Sequence, residues 1–181
     1  MEEGLKLIVK YEKLLFQTRY ERWINYSVFT IRWWILLGML IIPWFLWFWL
    51  IDKKRIQEMF LYAFATSTIA VLLDEIGTSL TLWTYPINIA PVPSILIPAN
   101  YTLVPIIFTL IYQYFPKWKS FIIANIILTF VFSFILEPIL VWGKLYTLIT
   151  WRYMYSLPVY FFTAIILKWF VERVKSVQNR Y

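Results

Sequence analysis

The sequence contains neither cysteine nor histidine in its 181 residues, and it contains only four glycines. The missing residue types exclude thiolate nucleophiles, disulfides, imidazole bases and the usual protein ligands of zinc, copper and haem. The few glycines form no loop of the kind that cradles a phosphate group. Only carboxylates and neutral oxygens are left to hold a metal, and the sequence predicts neither a metal site nor a cofactor.

Charged residues are also scarce, and hydrophobic residues take their place. Only 15% of the chain is charged and 61% is hydrophobic, which lies far outside the composition of soluble globular proteins. The 22% aromatic fraction suits rings at a membrane interface, where one edge is wet and the other apolar. The net charge of +7 comes from Lys and Arg spread over tails and short loops. We interpret them as topology signals facing anionic lipid, and not as a nucleic-acid-binding surface.

Long apolar stretches organise the chain. A bilayer core of about 30 Å requires roughly 20 apolar residues per helix. Four stretches reach or approach this length: 33–51, 59–83, 121–142 and 154–171. A fifth, 101–115, is long enough if the uncharged residues 94–100 also enter the membrane. No alternation typical of strands competes with them.

The sequence therefore predicts an all-α, polytopic transmembrane bundle of about five spanning helices and no sheet. The bundle occupies residues 33–174, after an N-terminal segment 1–32 and before a basic tail 175–181.

Basic residues between the stretches predict the orientation. With five spans, three basic segments fall on one side: the loop 52–55, the loop 117–119, and the tail with Lys168, Arg173, Lys175 and Arg180. The positive-inside rule makes this side cytoplasmic, and the opposite loop 84–100 carries no charge. The basic residues before the first span then fall outside, against the rule. An even number of spans would place them inside but would expose other basic loops.

The N-terminal segment has the pattern of an amphipathic helix. At about 100° per residue, one face carries Leu7, Ile8, Tyr11, Leu14 and Leu15, and the other carries Lys6, Lys10, Lys13 and Gln17. This pattern indicates a helix lying in the membrane interface. The alternative is a soluble tail, which would not need the apolar face.

Five prolines lie between Pro86 and Pro105 in an otherwise apolar segment. Repeated proline excludes a regular helix and disfavours sheet. Irregular backbone at membrane depth persists only where protein or a water-filled cavity satisfies its polar groups. We expect the segment to cap the outer end of the bundle; a stiff loop lying in the headgroups is the alternative.

Only three acids lie inside the apolar stretches: Asp74, Glu75 and Glu137. An ionisable group in a membrane helix costs several kcal/mol unless it faces protein or water, so such acids indicate a functional site. Asp74 stands 20 residues after Lys54, and Glu137 stands 20 residues after Lys117, which places the two acids at the same depth near the outer face. The sequence predicts that they share one cavity. One of the two is then expected to stay protonated near neutral pH, unless Arg152 or a bound cation compensates.

Further polar and aromatic residues complete the predicted ligand-binding site. Asn125, Thr129 and Ser133 lead at four-residue spacing to Glu137 and form one stripe that should face protein; the alternative is that they only hold helices together. An aromatic turn follows each acid. The predicted site comprises Asp74, Glu137, Arg152, Trp83, Tyr85, Ser133, Trp151 and Tyr153. Arg152 is the expected partner of a carboxylate, or else an arginine that binds lipid headgroups.

Several motifs resemble an uncharacterised family of small multi-pass membrane proteins found in spore-forming Gram-positive bacteria. The resemblance covers roughly residues 44–174 and rests on these segments: 52–55, 73–77, 82–86, 111–119, 137–142 and 151–158. It implies a multi-pass location in the bacterial cell (inner) membrane and supplies no mechanism. The acid followed by a Trp-aromatic turn is also similar, more distantly, to the membrane-embedded lycopene cyclase domains.

Two functions of different classes follow from these features. The first is a membrane protein that binds or transports a small cation, an amphiphile or a lipid at the carboxylate and aromatic site. The second is an intramembrane enzyme in which a carboxylic acid acts on an isoprenoid or lipid. We favour the first, because the sequence has no nucleophile beside a base. A subunit that assists another membrane protein is a third alternative.

Overall fold

The computed structural model describes residues 2–178 and shows an all-α bundle, which confirms the predicted fold class. Its helices are α1 (Glu2–Arg22), α2 (Ile31–Leu50), α3 (Ile56–Ser79), α4 (Val104–Tyr114), α5 (Trp118–Val131), α6 (Glu137–Trp142) and α7 (Tyr153–Gln178). Widened π-helical turns at Trp23–Ser27, Ala99–Leu103 and Phe132–Leu136 precede α2, α4 and α6. The expectation of no sheet is wrong in one detail. Strands β1 (Trp83–Thr84) and β2 (Thr147–Leu148) form a short antiparallel ribbon, because the chain leaves two helix ends that lie side by side.

Four helical segments are long and apolar enough to cross a membrane: Ile31–Leu50, Lys53–Ser79, Trp118–Trp142 and Tyr153–Val177. By length and composition the chain is therefore a multi-pass membrane protein. A fifth segment, formed by the turn Ala99–Leu103 and α4, also runs the length of the bundle but is shorter. It begins where the proline-rich loop folds back into the bundle, since Ile95, Leu96 and Asn100 are buried.

Three of the predicted basic segments lie at one end of the bundle, which we call the charged end. The Asp52 amide donates a hydrogen bond to Gln113 Oε1 at 2.8 Å, which joins the loop 52–55 to the last turn of α4. Lys175 in the last turns of α7 pairs with Glu58 at 2.9 Å. The five helical segments thus alternate between the charged end and the opposite end. Arg180 of the predicted tail lies outside the described residues, and Lys175 belongs to α7.

A buried lysine fastens α7 to the charged end. Lys168 is only 1% exposed, and its ammonium pairs with Glu172 at 2.8 Å and donates to the carbonyl of Pro116 at 2.9 Å. The ring centroids of Tyr112 and Phe121 lie 4.8 and 4.9 Å from the same nitrogen. A buried ammonium of this kind requires such partners, because an uncompensated buried charge is strongly unfavourable.

The proline-rich loop packs onto the opposite end, as the cap prediction requires. The indoles of Trp23 and Trp33 both donate to the carbonyl of Ile89 at 3.0 Å. Ile87 and Leu96 from the loop are buried together with residues of α2 and the α6 end. The N-terminal segment therefore joins the bundle at the end opposite the basic loops.

Helix α1 forms as predicted, and none of its residues is buried. Apolar side chains such as Leu7 and Leu14 are exposed, and so are the basic side chains of Lys6, Lys10 and Lys13. Its position in the membrane interface stays a prediction.

Single cysteines introduced into this cysteine-free chain test the arrangement of the two ends. Cysteines at Lys54 and Lys119 are expected to react with an impermeant thiol reagent from the same side, and cysteines at Lys6 and Val92 from the other side. Labelling of cells and of inverted vesicles gives the comparison. Equal labelling of positions 54 and 92 from one side would contradict the five-pass path, and labelling of position 54 from outside would overturn the cytoplasmic assignment.

Candidate functional site

Asp74 lies near the end of α3 and is surrounded by hydrogen-bond donors. The carboxylate is 5% exposed. Its Oδ1 accepts from Trp83 Nε1 at 2.7 Å and from the Tyr85 hydroxyl at 2.6 Å. Its Oδ2 accepts from the Leu96 amide at 2.9 Å and from the side-chain amide of Asn100. Four donors occupy the lone pairs that an ionised carboxylate offers.

The donors of Asp74 come from the segments on either side of the prolines. Trp83 and Tyr85 follow α3 directly, whereas Leu96 and Asn100 belong to the stretch that re-enters the bundle. Burial raises the pKa of Tyr85 well above its usual value, and the nearby carboxylate raises it further, so that its hydroxyl keeps its proton and donates. Asp74 therefore joins the cap to α3. It also accepts from a backbone amide of the irregular segment, whose polar groups need partners from the protein.

Gly77 makes room for the Trp83 indole on α3. A Cβ atom added at Gly77 would overlap the six-membered ring of Trp83, whereas one added at Gly38 would meet only Ile42 at 3.5 Å. Trp83 reaches back over this gap to Asp74 because Thr81 adopts a left-handed conformation with φ of 58° at the end of α3. The absence of a side chain at Gly77 therefore leaves space for the Trp83 ring. Small residues in membrane helices more often indicate a close contact between two helices.

Replacing Gly77 with alanine is expected to displace the Trp83 indole and break its hydrogen bond to Asp74. Overpacking and the lost bond to a charged group each contribute about 1 to 3 kcal/mol, so we expect a loss of at least about 2 kcal/mol of stability. Thermal unfolding in detergent measures the effect. Gly38→Ala is the matched control and should unfold near the wild-type temperature; equal behaviour of the two variants would show that the indole contact is dispensable.

The polar stripe of α5 is buried throughout, as the sequence predicts. Asn125, Thr129, Ser133 and Glu137 are all at most 5% exposed. In a regular helix Glu137 would lie about 120° away from Asn125, because each residue turns the chain by about 100°. The π-helical turn Phe132–Leu136 accommodates an extra residue and removes most of this drift. The π-helical turn occurs here because Pro138 follows it. A proline has no N–H group to donate to the preceding turn, and its ring needs space there.

The Glu137 carboxylate accepts hydrogen bonds only from hydroxyl groups of α7 among the described residues. Ser156 Oγ donates to Oε2 and the Tyr160 hydroxyl donates to Oε1, both at 3.0 Å. Ser156 in turn accepts from Trp151 Nε1 at 2.9 Å. Ser156 and Tyr160 stand four residues apart and so share one face of α7.

The two acids meet because the helices that carry them are related by a local two-fold rotation. Thr84 of β1 pairs with Thr147 of β2, which stands 63 residues later, and Glu137 stands 63 residues after Asp74. The two helix ends also have the same internal hydrogen bond. Leu82 N donates to Gly77 O in the first and Leu145 N donates to Leu140 O in the second, both at 2.9 Å. An antiparallel pairing of equivalent residues places equivalent side chains on opposite sides of one axis, facing the same space.

That space is a cavity of about 120 Å³ to which both acids contribute. Its remaining wall is mostly apolar, and no Lys or Arg lines it among the residues that the structure describes. Aromatic rings form a large part of the wall, namely those of Trp83, Tyr85, Phe108, Tyr146, Trp151 and Tyr160. Two ring pairs join the segment after α3 to the segment after α6. Tyr85 stacks on Tyr146 with centroids 5.4 Å apart, and Trp83 contacts Trp151 edge to face at 5.0 Å.

The structure brings together five of the eight predicted site residues: Asp74, Trp83, Tyr85, Glu137 and Trp151. Ser133 is fully buried but does not line the cavity, and its hydroxyl has no partner within residues 2–178. Tyr153 also lies outside the lining. Arg152 pairs with no carboxylate among residues 2–178, and its binding to lipid headgroups stays a prediction. Arg152 is exposed at the start of α7, where Ser156 and Tyr160 on the inward face serve Glu137 instead.

The predicted site lacked six polar residues that line the cavity: Thr66, Asn100, Tyr146, Ser156, Tyr160 and Thr163. The four-residue spacing of Ser156 and Tyr160 in an apolar stretch is the same signal that identified the stripe of α5. Asn100 offered a weaker signal as an amide in an uncharged segment next to a span.

Comparisons with protein-family models, with curated proteins and with solved structures returned no match.

Proposed function

We propose that this protein binds a small organic cation, such as the ammonium group of an amine or of a cationic amphiphile, in the cavity between Asp74 and Glu137. The observation that carries the proposal is the meeting of two acids and several aromatic rings in one cavity whose described lining contains no basic residue. Carboxylates supply a counter-charge, and the faces of Trp and Tyr rings attract ammonium groups.

The charge of the site favours a cation over other ligands. An anion would face two acids without a basic side chain in the described lining, and like charges in a low-dielectric site repel strongly. A neutral ligand would leave the acids unused, although buried ionisable groups in a membrane helix are costly to keep.

The chemistry of the wall favours an organic over an inorganic ion. Metal cations require several oxygen ligands, but both oxygens of Asp74 are already occupied by four donors. The aromatic and aliphatic wall suits methyl groups around a nitrogen. The volume of about 120 Å³ limits the bound group to a small head, such as the methylated nitrogen of choline, and leaves no room for a whole lipid.

A second function is supported by the partners of Glu137. Because they are hydroxyls, they tolerate a protonated carboxyl, and such a group in an apolar cavity is able to act as a general acid on an isoprenoid or lipid. This intramembrane enzyme is distinguished from a binding protein by conversion of the bound molecule, which mass spectrometry of extracted ligand would detect.

Calorimetric titration of the protein in nanodiscs of phosphatidylglycerol tests the proposal. Choline is the probe, and its neutral analogue with carbon in place of nitrogen is the matched control. Cation–π attraction of about 2 kcal/mol alone predicts at least about tenfold weaker binding of the neutral analogue. Equal binding of the two, or no binding of choline, would contradict the proposal. Nanodiscs with phosphatidylcholine separate the sources: competition with choline identifies a lipid headgroup, and unchanged choline affinity identifies a free amine.

A further inference from the structure

Asp74 and Glu137 occupy equivalent positions, yet the groups around them differ in kind. Three of the donors to Asp74 are N–H groups, from Trp83, Leu96 and Asn100. Indole and backbone N–H groups donate and never accept. One such donor points at each oxygen of Asp74, Trp83 Nε1 at Oδ1 and the Leu96 amide at Oδ2. The four donors together match the acceptor sites of a carboxylate and hold the cap.

Glu137 has partners that serve either protonation state. The hydroxyls of Ser156 and Tyr160 donate to a carboxylate, and each is also able to accept from a protonated carboxyl by rotating. A proton on Glu137 thus breaks no bond to an obligatory donor. The two acids therefore differ in their hydrogen-bond partners: Asp74 faces N–H groups that only donate, and Glu137 faces only hydroxyls, which donate or accept.

The charged and titratable surroundings of Glu137 favour the proton in the empty site. The groups that face it are Asp74 from α3, Tyr85 and Tyr146 from the ribbon segments, and Tyr160 from α7. None of these groups is cationic, and no Lys or Arg lines the cavity within residues 2–178. Burial in a mostly apolar cavity opposes a negative charge on Glu137.

We infer that Glu137 carries a proton when the cavity is empty and exchanges it for the organic cation. This inference rests on the proposed function. When the cation enters, the O–H bond of Glu137 breaks and the proton leaves to the solvent. Glu137 becomes the counter-ion of the ligand, and the net charge of the site is unchanged. Asp74 acts as a positioning residue, holding Trp83 and Tyr85 in the wall.

Counting the protons released on binding tests the exchange. Choline is titrated into the protein in nanodiscs in several buffers of different ionisation enthalpy at one pH. The dependence of the binding enthalpy on buffer is expected to show about one proton released per choline in the wild type and none in Glu137→Gln. Choline binding without proton release would overturn the exchange and leave the proposed function standing. Absence of choline binding in the wild type would overturn both.

Infrared spectroscopy of the ligand-free protein tests the protonated state without any ligand. A carbonyl band of a protonated carboxyl is expected in the wild type and should disappear in Glu137→Gln. Asp74→Asn and Glu75→Gln are expected to keep it. A band that survives in Glu137→Gln and is lost in Asp74→Asn would reverse the roles of the two acids and overturn the inference.

Discussion

Replacing Asp74 with alanine is expected to lower the stability by on the order of 5 kcal/mol and to release the proline-rich cap. The substitution leaves the donors of Trp83, Tyr85, Leu96 and Asn100 without their acceptor. Each buried polar group left unpaired costs about 1 to 3 kcal/mol, and these groups lie in the segments that form the cap. Thermal unfolding and proteolysis of residues 84–100 measure the two effects.

The control for this substitution is the neighbouring acid on the same helix. Glu75 is exposed and does not line the cavity, so Glu75→Ala should leave both measurements near the wild type. Asp74→Asn retains one carbonyl oxygen and should fall between the two. Equal unfolding temperatures for Asp74→Ala and Glu75→Ala would show that the bonds of Asp74 do not hold the cap.

Replacing Glu137 with glutamine is expected to weaken choline binding about a hundredfold or more while the protein still folds. Glutamine has the same shape and keeps hydrogen-bonding capacity toward Ser156 and Tyr160. It removes the counter-charge, and leaving one member of a buried ion pair alone costs about 3 to 5 kcal/mol. The same calorimetric titration reports the affinity, and thermal unfolding reports the fold.

Two variants make the result specific to this carboxyl. Glu75→Gln removes the same charge from the same depth outside the cavity and should bind choline as the wild type does. Glu137→Asp keeps the charge on a shorter side chain and should recover part of the affinity. If Glu137→Gln and Glu75→Gln bind choline equally, the cation does not pair with Glu137.

Much of the bundle follows from composition and periodicity. Apolar stretches between basic loops predicted the helices and which loops share an end, because helix length in a bilayer and the alternation of passes leave little freedom. The four-residue spacing from Asn125 to Glu137 predicted a buried stripe. The equal distance of Asp74 and Glu137 from their basic loops predicted their common depth, and both line one cavity.

The partners of the acids could not be predicted, because they depend on contacts between distant segments. The loop that supplies Leu96 and Asn100 has no periodicity, so its return to Asp74 follows only from the folded chain. Arg152 was an attractive partner by charge and proximity in sequence, but the first turn of α7 directs Ser156 inward and leaves Arg152 exposed. The overlap that forces a glycine at position 77 also depends on the path of Trp83.

The most direct test of the account is to locate a bound cation by the anomalous scattering of a heavy atom. In arsenocholine an arsenic atom replaces the nitrogen of choline, so its position in a crystal of the complex is visible directly. We expect one arsenic peak in the cavity, within about 6 Å of the ring centroids of the aromatic wall and beside the Glu137 carboxylate. A peak only outside the cavity, for example near Glu58 at the charged end, or an empty cavity at saturating arsenocholine, would contradict it.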